Sequence, residues 1–63
     1  MLTRDQELWD MALWVDKHHG DAGGEFIASK IDQLYQAGEQ DGARLWQNVA
    51  RRYEQLVERR TYS

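Results

Sequence analysis

The sequence contains no cysteine and no proline. Lack of cysteine removes disulfides, thiolate metal sites and cysteine nucleophiles together, and it fits a reducing compartment, with the cytoplasm as the default location. Lack of proline leaves the glycine clusters (Gly20, Gly23, Gly24, then Gly38 and Gly42) as the main punctuation of the chain. No apolar run approaches the ~20 residues needed to span a bilayer. The opening MLTRDQELWD carries charge within five residues and has no apolar h-region, so neither a membrane span nor export is expected. Serine is limited to Ser29 and Ser63, neither with a local histidine and carboxylate. No catalytic residue, cofactor, metal or small-molecule substrate is therefore expected, and a chain this small has little volume for a concave pocket of ~300 Å3.

What is present is charge, unevenly placed. Over the whole chain the formal net charge is −3. Residues 1–41 hold nine acids against Arg4, Lys17 and Lys30, a net −6, whereas residues 42–63 hold five arginines against Glu54 and Glu58, a net +3. An acidic front precedes a basic tail. At 63 residues the chain reads as a single domain, 1–63, near the size where a core holds without disulfides or metal, since such domains bury only ~60% of their unfolded surface.

The glycine clusters divide the chain into three blocks, each with helical rather than alternating periodicity. The first helix is expected over about 4–19. Thr3 and Gln6 have the spacing of a capping box, and Leu8, Met11, Ala12 and Val15 centre an apolar face that Trp9 and Leu13 extend. The second is expected over about 23–37, with Ile27, Ile31, Leu34 and Tyr35 in a stripe and Gly38 as a left-handed stop. The third, over about 41–60 with Asp41 as N-cap, gathers Leu45, Trp46, Val49, Ala50, Tyr53, Leu56 and Val57 on one face; Tyr62 falls beyond it. Short links favour antiparallel neighbours, so the fold class is all-α, a compact three-helix bundle made of a helical hairpin plus a third helix. There is no internal repeat and no low-complexity segment.

The segment WVDKHHGDAGGEFI, residues 14–27, concentrates histidine, aspartate and glycine. His18 and His19 are consecutive, so their side chains diverge by ~100° on a helix and do not form the i, i+4 pair of a metal site. A helix corner accounts for the segment: histidines at the negative end of the dipole, Gly20 at C′ in the left-handed region, and Asp21 capping the next helix. A phosphate cradle is disfavoured, because no strand precedes the glycines, no lysine follows, and Asp21 and Glu25 would repel an anion.

Two surfaces are candidates for interaction. Arg44, Asn48, Arg51, Arg52, Gln55 and Arg59 fall within roughly a 100° arc of the third helix. They form either a solvated face pairing with Glu54 and Glu58, or a surface for nucleic-acid phosphates or an acidic protein. Trp14 lies outside the apolar face of the first helix, among Glu7, Asp10 and Lys17. Either the third helix wraps far enough to cover it or it anchors an interface. A homodimer or an unknown protein partner is the expected form of that interface. The leading expectation is a non-enzymatic helical interaction module, and the alternative is a nucleic-acid-associated or transcription-linked accessory protein using the arginine face.

The segments RDQELWDMALWVDKHHGD, FIASKIDQLYQAGEQDGARLW and ARRYEQL together resemble a family of short uncharacterised bacterial proteins, found mainly in sphingomonads and related α-proteobacteria, a domain of unknown function. The resemblance covers roughly residues 4–56 and rests on structural landmarks. It implies a bacterial, cytoplasmic, all-helical small protein and brings no activity, cofactor or binding residue with it.

Overall fold

The structure is a computed structural model that describes residues 3–62, and side chains for residues 3–59. The described residues form α1 (Arg4–His19), a short 3-10 turn (Gly20–Ala22), α2 (Gly23–Gln36) and α3 (Gln40–Tyr62). The chain is all-α, with no strand among the described residues. The expectation of three separate helices needs adjustment: the 3-10 turn joins α1 to α2 without a non-helical residue between them, giving one bent helical run with α3 packed against it. No helix is long and apolar enough to cross a membrane, among the described residues.

Local chemistry sets most of the boundaries. The capping box is present: the Gln6 N–H donates to Thr3 Oγ1 at 3.1 Å, and the Thr3 N–H donates to Gln6 Oε1 at 3.0 Å. At the corner Gly20 has φ +53° and ψ −126°. Its φ is positive, as expected of a glycine stop, but its ψ lies far from the left-handed helical region. Asp21 does not cap α2. It lies inside the 3-10 turn, the N-cap position belongs to Ala22, and no side chain bonds there. Continuous helical backbone already occupies those amides, so the corner needs no capping carboxylate.

The second junction is tighter. Gly38, at φ +78°, donates to the Tyr35 carbonyl at 3.1 Å, and the Glu39 N–H donates to the Leu34 carbonyl at 2.8 Å, which is a Schellman motif. The Glu39 carbonyl then accepts from the Ala43 N–H at 3.1 Å and so opens α3. Asp41 is consequently in the first turn rather than at the N-cap. Gly42 sits close to α2: a Cβ there would lie 3.3 Å from Leu34 Cδ2. Tyr62 lies in the last turn of α3 rather than beyond it, and its side chain, with those of Arg60 and Thr61 and all of Ser63, is outside the described residues.

α3 packs against both α1 and α2, and the direct contact between those two is smaller. The principal extents are 39 × 30 × 17 Å, so the thinnest dimension is less than two helix diameters of about 10–12 Å. A layer this thin encloses a small core: Leu8, Ala12, Val15, Ile27, Ala43, Val49 and Tyr53 are buried. Leu13, expected to extend the buried face of α1, and Tyr35, expected in that of α2, are each 51% exposed. Gln47 Nε2 donates to the Tyr35 hydroxyl at 3.0 Å, which ties its polar end to α3.

Tyr53 locks the corner to α3. Its hydroxyl donates to the Gly20 carbonyl at 2.9 Å. Its ring lies over buried Gly23, where a Cβ would approach Tyr53 Cζ to 2.6 Å. The glycine is thus the space into which the tyrosine packs.

Candidate functional site

Trp14 is 49% exposed, so α3 does not wrap far enough to cover it. It nevertheless has company. Its ring centroid lies 4.7 Å from that of His18, 5.7 Å from that of His19 and 6.1 Å from that of Phe26. His19 stacks on Phe26 at 3.9 Å with planes 15° apart, and Phe26 meets Trp46 edge-on at 5.9 Å. The last turn of α1, the start of α2 and α3 therefore share one aromatic and imidazole cluster, with Trp14 at its outer edge.

Beside that cluster a shallow, almost wholly apolar groove of about 420 Å3 is lined by Asp10, Met11, Trp14 and Trp46. The expectation of little volume for a concave pocket is not contradicted by it, because the groove is open to solvent. The space is an external cleft between α1 and α3, so it takes no volume from the core. Asp10 is the one ionisable residue lining it. His19 stacks on Phe26 and His18 is tilted against Trp14, and no group of three or more His, Cys, Asp or Glu side chains able to hold a metal ion occurs among the described residues.

The arginines do not present one surface. Arg52 turns toward α1, where its Nη2 and Nε donate to Asp5 Oδ1 at 2.6 and 3.1 Å. The guanidinium carbons of Arg52 and Arg59 each lie 5.8 Å from the ring centroid of Trp9, within cation–π range. Arg44 and Arg51 are exposed. Arg52 thus pairs with Asp5 of α1 rather than with Glu54 or Glu58 of its own helix. Acidic front and basic tail thus meet within one molecule.

A family model described as a family of unknown function, DUF6961, matches residues 4–61. The chain belongs to that family. No curated protein and no solved structure matches it.

The DUF6961 match runs through all three helices and so includes both the groove and the arginines, but the family description carries no chemistry to assign to them. Of the residues that sequence reading singled out in this DUF6961 chain, Trp14 lines the groove, Arg44 and Arg51 face outward, and Arg52 and Arg59 pack on α1. Asp10, Met11 and Trp46 were not singled out as site residues. Met11 and Trp46 satisfy a helical core pattern equally well, and only the pairing of α1 with α3 leaves them at the lip of a cleft. One signal was available: α1 is the least amphipathic of the three helices, because Leu13 and Trp14 put apolar surface outside its buried face.

Proposed function

We propose that this protein is a non-enzymatic helical interaction module in the bacterial cytoplasm, acting through self-association or a partner protein that seats on the cleft of Met11, Trp14 and Trp46. One observation carries the reading: a half-exposed tryptophan, backed by ordered aromatic rings, forms the wall of an apolar groove. Such a side chain pays little ordering entropy on binding and offers a large area to bury, which is why tryptophan is enriched among interface anchors. The lining itself offers Asp10 as its one ionisable residue, and the nearby imidazoles of His18 and His19 lie against the rings of Trp14 and Phe26.

The alternative, a nucleic-acid-associated or transcription-linked accessory protein, retains Arg44 and Arg51 as outward cations. Arg52 and Arg59 are engaged with Asp5 and Trp9, which leaves it the weaker reading. Binding to nucleic acid that falls steeply with added salt would favour it.

Sedimentation velocity over a wide concentration range, at low and high salt, tests the leading reading. A dimer that persists in high salt and is lost in Trp14→Ala supports self-association. A monomer directs the test to partners retained by the wild type and lost by Trp14→Ala. Absence of both self-association and any Trp14-dependent partner removes the reading.

A further inference from the structure

Although the chain has no repeat on the scale of a structural unit, α1 carries the same short pattern twice, Asp5-Gln-Glu-Leu-Trp9 and Asp10-Met-Ala-Leu-Trp14. Each places a carboxylate four residues before an indole, so the two side chains are neighbours on the helix surface. The displacement of five residues turns the second pair about 140° around the helix and about 7.5 Å along it. The first pair is filled from within: Asp5 holds the Arg52 guanidinium while Trp9 lies beneath it and beneath that of Arg59. The second pair borders the groove, where Trp46 is an additional aromatic wall; the lining is almost wholly apolar, so the Asp10 carboxylate lies at its rim, and none of the lining residues is an arginine or lysine.

We propose that the Asp10 and Trp14 pair is a binding site for an arginine side chain from a basic segment of another protein. The guanidinium lies against the indoles and donates to the Asp10 carboxylate, and its aliphatic stem covers Met11. This rests on the reading of the groove as an interface and adds its partner's chemistry. The intramolecular pair shows that this chain's own carboxylate and indole spacing accommodates a guanidinium. The chain's net charge of −3 favours a basic segment and steers its approach. A second copy is a poorer occupant. Its exposed Arg44 and Arg51 lie about 140–160° around α3 from Trp46, so they do not flank the groove, and its Arg4, on the Met11 side of α1, is already paired with Glu7.

The test uses the full chain labelled with 15N, with the three tryptophan indole N–H resonances assigned by Trp9→Phe, Trp14→Phe and Trp46→Phe. The probe is a capped Leu-Arg-Leu tripeptide, compared with the same peptide carrying citrulline, the neutral isostere of arginine. Saturable shifts of the Trp14 and Trp46 resonances are expected with the arginine peptide, and about tenfold weaker binding with citrulline or in Asp10→Asn, equivalent to about 1.4 kcal/mol. Asp10 is exposed and the change is isosteric, so a thermal melt matching the wild type verifies that the fold is intact. Equal shifts from both peptides overturn the arginine assignment while leaving the apolar interface standing. No shift from either peptide at millimolar concentration overturns it as well. Shifts that arise on concentrating the protein alone, and vanish in the Arg44→Ala, Arg51→Ala double variant, assign the groove to a second copy instead.

Discussion

Tyr53 shows at the scale of single residues how distant parts of the chain are fixed to one another. Its hydroxyl reaches a carbonyl 33 positions away, and its ring takes the place a side chain at Gly23 would occupy. Tyr53→Phe removes one neutral hydrogen bond and should cost about 1 kcal/mol in urea unfolding. Gly23→Ala must displace the ring as well, so about 2–3 kcal/mol is expected, the usual range for overpacking; equal losses in the two variants would contradict the close approach. The sequence offers Gly23 as helix punctuation and Tyr53 as a core position, but nothing local links them. The same holds for Trp9, whose arginine neighbours come from the second half of α3. Trp14 is different: its position off the apolar face is legible from helical spacing alone. Trp14→Ala removes a half-exposed ring and its contact with Phe26, so a modest loss of about 1 kcal/mol is expected in the isolated protein. A loss several times larger would mean that the ring belongs to the core.

Helix ends were legible where the chemistry is local. Thr3 and Gln6 satisfy each other within one turn, and Gly38 supplies a positive φ within the second junction. Thr3→Ala should therefore cost about 1 kcal/mol, measured by thermal or urea unfolding. Asp21→Ala should change stability by less than about 0.5 kcal/mol, because the 3-10 turn runs into α2 without a capping side chain. That contrast separates the observed corner from the one expected of an isolated helix start. Sequence reading assigned Asp21 and Asp41 to caps because aspartate is favoured there. It could not see that helical backbone continues through the first site, or that Glu39 serves both the end of α2 and the start of α3.

The whole molecule is a thin layer in which α3 fills the angle of a bent helical run, and this limits both its core and its stability. Domains of this length retain about 3–9 kcal/mol. Val49, fully buried on α3, is thus a large fraction of the total: Val49→Ala should cost about 2 kcal/mol and lower the thermal midpoint visibly. By contrast the pair of Arg52 with Asp5, whose side chains are 26% and 61% exposed, should contribute about 0.2–1 kcal/mol and weaken with salt. The all-helical class was plain from periodicity. The continuity of α1 with α2, and the groove it leaves beside α3, depend on how helices pack and are not encoded in any one segment.

The thinness also puts apolar residues within reach of the surface, and Trp14 is the largest of those left half-exposed. Whether that face is covered in the cell decides its role. A photoreactive benzoyl-phenylalanine at position 14, with a control at exposed Ser29 on α2, tests this in the native host. Covalent adducts to another copy or to a partner are predicted from position 14 and not from position 29. No adduct from position 14, or equal adducts from both positions, would contradict the assignment of this face as the interface.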